Sequence, residues 1–191
     1  MDSTLFYHLA LFLHIMGAFG LVAAMTFETI GLQGLRRAIE KQDAVRWLSV
    51  ARVVQRLAPA SLGLILVMGL YLTATTWGAR GWILVSLAGL VAYALIGGLL
   101  TGVRMARIGP AVGRSSEPLS DDLRAALRDP VLLISIRTRL GIVLGIVLLM
   151  TLKPSLVASL VIVVLAGAIG LLAGQISNGG RSARALEPEG R

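Results

Sequence analysis

Five apolar runs, each close to the length that crosses a bilayer, limit what this chain can become. They cover residues 5–27, 57–75, 82–103, 131–152 and 156–176. A spanning helix needs roughly 20 apolar residues. None of the runs alternates with a period of two, and all are too long for barrel strands. Inside lipid every backbone N–H and C=O has to be satisfied within its own segment, so the runs read as helices. The expected fold is all-α, a five-transmembrane-helix bundle over residues 1–177 with a disordered tail over 178–191. Composition agrees: 56% of the 191 residues are hydrophobic and 15% charged, against roughly 45–50% and about 25% in soluble domains. No separate soluble module fits in what remains.

The first run is not expected to be a cleaved signal peptide. The residues ahead of it, Met1-Asp2-Ser3-Thr4, carry no basic side chain, and its apolar stretch is too long. Charge placement then predicts the threading. Every Lys and Arg except Arg80 and Lys153 falls between the first and second runs, between the third and fourth with their flanks, or in the tail. Cations collect on the cytoplasmic side, which puts the N-terminus outside and the C-terminus in the cytoplasm of a bacterial inner membrane. An odd number of spans requires the same arrangement. The net charge of +8 is thereby explained by topology and by attraction to anionic lipid headgroups. Nucleic acid is not an expected partner, because no basic patch is interleaved with aromatics. The chain has no cysteine, which removes disulfides, thiolate nucleophiles and Cys-based metal sites.

The connections differ in length. "TWGARG" and "TLKPS" are tight outer turns, making spans two and three, and spans four and five, expected antiparallel neighbours. In "SEPLSDDLRAALRDP", Ser120 is placed to cap a short helix with Asp121 and Asp122 in its first turn, and Pro130 to start the next. That short helix either lies on the membrane surface or belongs to a solvated loop. Small residues four apart let helices approach closely in lipid. Gly20–Ala24, Gly98–Gly102, Gly141–Gly145 and Gly170–Gly174 all have this spacing. Trp47, Trp77 and Trp82 read as interfacial anchors.

Two ionisable groups sit in the first run. His14, Gly17, Leu21, Ala24 and Glu28 recur at steps of three and four, so they share one helix face. His14 lies near the bilayer midplane, about 14 Å from Leu5 at 1.5 Å per residue. Polar groups at that depth face the protein interior and are candidate functional groups. The competing reading is a neutral imidazole bonded to a neighbouring helix, for example at Ser61 or Thr73. His8 cannot join it around one iron, being six residues away, roughly 240° round the helix. Glu28 lies at the inner boundary, level with Arg52, Arg56, Arg137 and Arg139. A carboxylate there is paired or neutral. An ion pair with one of these arginines, separate snorkelling to water, and a proton-linked role for Glu28 all remain open. The methionines are either packing filler or, with His14, thioether donors for copper(I).

Two short stretches, "LHIMGAFGLV" in the first run and "GIVLLMTLKP" at the end of the fourth, resemble small bacterial membrane proteins. These are related to the copper-resistance D domain and the HemJ-type protoporphyrinogen oxidases. The resemblance covers residues 5–154 in layout and leaves the fifth span as an addition. In HemJ-like members a first-helix histidine and a third-helix lysine are associated with haem. His14 matches the former, but "GWILVSLAGL" has no lysine, and the catalytic resemblance stops there. Copper-resistance D-like members imply copper movement, without the dense His/Met cluster that would support it here. Three function classes follow. The first is a non-catalytic membrane component, either an accessory subunit beside other membrane proteins or a permease for small solutes or metals. The second is a haem b-binding redox protein using His14 and Met68. The third is a copper or proton-coupled transporter using His14 and Glu28. No nucleophile–base pair, carboxylate dyad or phosphate loop is visible, so hydrolysis and phosphoryl transfer have no support.

Overall fold

The computed structural model describes residues 3–184, and among these all regular structure is helical. Helix α1 spans Ser3–Arg37 and α2 spans Lys41–Leu72, closing with a π-helical turn at Thr73–Trp77. Helix α3, Gly81–Ile96, passes through a π-helical stretch, Gly97–Gly102, into α4, Val103–Arg114. The short α5, Asp121–Leu127, leads to α6, Pro130–Leu152, and α7, Leu156–Arg184. Five of the described helical stretches are long and apolar enough to cross a membrane. Residues 185–191, half of the expected tail, lie outside the described residues, while α7 continues past Ile176 to Arg184.

The first three apolar runs mark only parts of their helices. Past Phe27 the hydropathy drops but the helical period persists: Leu32, Leu35 and Ala38 are buried while Gln33 and Arg37 are exposed. These extensions meet at the end of the bundle that carries most of the basic residues. There Leu32, Leu35, Ala44, Ile108, Val112, Leu119, Leu127 and Leu132 form a core of their own. Helix α5 belongs to it, with Leu127 1% exposed, so it packs against α1 and α4 as part of a capping layer. Ser120 caps it as expected, its hydroxyl accepting from Leu123 N–H at 3.4 Å. Asp129 caps α6 the same way, accepting from Val131 N–H at 2.8 Å, with Pro130 in the first turn. The other carboxylate oxygen of Asp129 accepts from Arg104 Nε at 2.8 Å.

Two helix pairs carry most of the packing, α1 with α2 and α6 with α7. Close approach is enforced by glycine. A Cβ on Gly17 would stand 2.9 Å from Ile65 and 3.1 Å from the Ser61 carbonyl. One on Gly141 or Gly170 would enter the facing backbone at Ala166 or Arg137. The spacings at Gly20–Ala24, Gly141–Gly145 and Gly170–Gly174 are thus used as contacts. The one at Gly98–Gly102 is not: nothing lies within 4 Å of a Cβ on Gly98. The expected neighbours also divide. Spans four and five (α6, α7) pack along each other, whereas α2 and α3 share a tight turn and then diverge, α3 packing on α6 and α7. Trp82 is 7% exposed and Trp47 lies against Gly34 of α1, so both are packing residues. Trp77 ends the π-helical turn after α2, where Lys153 Nζ sits 4.2 Å over its ring and ties the α2–α3 and α6–α7 turns together.

Candidate functional site

The divergence of α2 from α3 leaves a cavity of about 350 Å³ in the half of the bundle nearer the basic end. Helix α1 forms its back wall through Phe27, Glu28, Gly31 and Leu32, α2 one side, and α3 with its π-helical continuation the other. Arg139 and Ile136 of α6 close it. Gln55 and Pro59 on α2, and Ala94 and Gly98 opposite, line the cavity and are exposed, so it opens sideways between α2 and α3.

Both flanks of the opening interrupt regular α-helix. Pro59 has no N–H to give the carbonyl four residues back, which frees the carbonyl of Gln55 beside the cavity. Across from it the π-helical stretch Gly97–Gly102 widens the backbone spiral. Such insertions concentrate at functional sites. Gly97 packs closely there, a Cβ standing 3.0 Å from Arg139 Nη1.

Arg139 is 4% exposed, about 14 Å along α6 from Pro130 at 1.5 Å per residue. Its Nη2 donates to Glu28 Oε1 in an ion pair and to Thr101 Oγ1 at 3.3 Å. Its Nε donates to the Ser135 carbonyl at 3.4 Å, and its guanidinium lies 5.4 Å from the centre of the Tyr93 ring. Thr101 and Ser135 hydroxyls are 2.9 Å apart, extending the network to the π-helical stretch. The Glu28 side chain is 14% exposed and faces the cavity. The Glu28–Arg139 ion pair ties α1 to α6.

The other predicted residues go elsewhere. Arg137, two residues from Arg139, points to the opposite side and donates to the Ala173 carbonyl of α7 at 3.1 Å. Arg52 and Arg56 are exposed on α2. His14 is half-buried against α2, its Nδ1 donating to the Ile65 carbonyl at 3.0 Å, with the ring 3.0 Å from where a Gly69 Cβ would stand. The partner is backbone, where the sequence suggested the hydroxyl of Ser61 or Thr73. Met68 is half-buried beside Gly69. His8 is exposed and donates to the Thr4 carbonyl at 2.7 Å. His14 and Glu28 do share the buried face of α1, but fourteen residues separate them, about 21 Å along the axis. They cannot hold one ion together, and no group of three His, Cys, Asp or Glu side chains converges among the described residues. Tyr93, Thr101, Ser135 and Gln55 escape sequence reasoning. The nearest signal was the spacing Gly98–Gly102, which sequence reasoning assigned to packing. No protein-family model, curated protein or solved structure matches the chain.

Proposed function

We propose that this is a multi-pass bacterial inner-membrane protein, N-terminus outside and C-terminus cytoplasmic, that binds a small lipid-soluble molecule. It belongs on this reading to the non-catalytic class, an accessory component or small-solute permease. One observation carries the proposal: a cavity of about 350 Å³, apolar in most of its lining, that opens sideways and holds a buried ion pair in its wall. Ligand pockets combine an apolar lining with a few placed polar groups and run to roughly 300–1,000 Å³. Charges at membrane depth are expensive and mark ligand paths. Crosslinking in nanodiscs with a photoreactive alkyl diazirine tests it. Adducts should concentrate at Gln55, Ala94, Gly98 and Thr101, and Gly98→Trp should suppress them. Adducts spread evenly over the exposed faces of α2, α3 and α7 would defeat the reading.

A second reading keeps His14 as a ligand to haem b or copper(I). A carbonyl only accepts, so the Ile65 contact fixes the proton on Nδ1 and leaves the Nε2 lone pair available, the tautomer metal-binding histidines use. The donors present, one imidazole and the thioether of Met68 on the facing helix α2, fall short of a converged site. A Soret band, or copper(I) bound one to one, in purified protein and lost in His14→Ala would support it. Colourless protein that takes up no copper(I) would remove it.

A further inference from the structure

Within the cavity, the two members of the ion pair are held very differently. Arg139 keeps three anchors besides Glu28: the Ser135 carbonyl, the Thr101 hydroxyl and the face of Tyr93. Its side chain also packs along Gly97, with Nη1 3.0 Å from where a Cβ would stand. Glu28 sits one face of α1 away with Arg139 as its hydrogen-bonding partner, and it is the more exposed of the two. A ligand that competes for this pair therefore displaces Glu28 and leaves Arg139 in place. A cation would need the reverse, an Arg139 that swings clear of Glu28, and its anchors oppose that. The cavity is thus a receptor for negative charge, with Glu28 as a built-in occupant.

Resting on the ligand-binding reading above, we infer that the cavity takes a single-chain amphiphile with an anionic head, a carboxylate or phosphate. The head replaces Glu28 on Arg139, and the chain leaves through the opening between α2 and α3. The planar guanidinium suits two-point contact with either head. Among the described lining residues the ionisable groups are Glu28 from α1, Tyr93 from α3 and Arg139 from α6; α2 and α4 supply none, so Arg139 is the lining cation that meets the anionic head.

The test uses the full-length protein in phosphatidylcholine nanodiscs, titrated calorimetrically against octane sulfonate, octanol and octyltrimethylammonium with empty-nanodisc subtraction. The sulfonate carries a full negative charge and should bind at least tenfold tighter than the other two. Glu28→Gln keeps an acceptor but removes the competing charge, and should bind the sulfonate more tightly. Arg139→Lys should weaken it, and inorganic phosphate should not bind. Octanol binding as well as the sulfonate would overturn the anion inference while leaving the cavity reading standing. So would a preference for the cation, or binding of inorganic phosphate alone. Failure of all three alkyl probes would overturn both.

Discussion

At the level of single residues, removing either member of the Glu28–Arg139 pair strands the other, since Arg139 is almost wholly enclosed. Breaking a buried pair costs about 3–5 kcal/mol, whereas replacing both charges by apolar side chains is often close to neutral. Arg139→Met and Glu28→Leu are each expected to lower the melting temperature sharply, and the double variant to recover most of the loss. Thermal unfolding of the four proteins in one detergent, treated as a double-mutant cycle, measures the coupling; simple additivity would mean the two side chains do not support each other. The sequence placed Glu28 level with four arginines and left pairing, snorkelling and a proton-linked role open. It could not choose among the arginines, because the choice depends on which way α6 is turned. Arg137 and Arg139 are about 200° apart on a helix, so once Arg139 faces α1 and α3, Arg137 must face α7. Thr101, Ser135 and Tyr93 became visible only through tertiary placement, since each alone is an unremarkable residue in an apolar run.

Between elements, the same glycine spacing has two outcomes, and the difference lies in what the facing surface offers. On α6 and α7 a neighbour's backbone occupies the space a Cβ would need: Gly141 faces the Ala166 carbonyl and Gly170 the Arg137 carbonyl. Backbone cannot rotate aside as a side chain can. Gly141→Ala should therefore separate the pair and cost on the order of 1–3 kcal/mol, the usual range for overpacking. Gly98→Ala meets open space and should leave thermal stability unchanged in the same assay. A loss at Gly98 equal to that at Gly141 would show that spacing matters and the mapped contacts do not. The runs themselves were legible because lipid allows few backbone solutions. Less legible were the helical extensions toward the basic end, where a mean-hydropathy reading fades although the period of buried Leu32, Leu35 and Ala38 continues. The gap between α2 and α3 was misread for a related reason. A short turn fixes that two helices start together, but their divergence is set by α3 packing on α6 and α7.

For the molecule as a whole, the charges, the capping layer and the cavity are connected through one question, which end faces the cytoplasm. Among the described residues, all Lys and Arg but Arg80 and Lys153 belong to segments toward one end, and that end also carries the second core built from Leu35, Val112, Leu119 and Leu127. A layer of this kind, with its own buried leucines and capped short helix, is suited to water and would be poorly satisfied in hydrocarbon. The cavity lies just beneath it, so the inferred anion site draws its ligand from the leaflet on the basic side. On the proposed orientation that is the cytoplasmic leaflet. The chain has no cysteine, which makes single-cysteine labelling clean without background removal. Ala79→Cys lies in the turn between α2 and α3 and Ser116→Cys in the connection between α4 and α5, both at exposed positions. In intact spheroplasts a membrane-impermeant maleimide should label the first and not the second. After permeabilisation both should react. The opposite pattern would invert the protein and move the cavity to the outer leaflet, where the supply of anionic amphiphile would come from outside the cell.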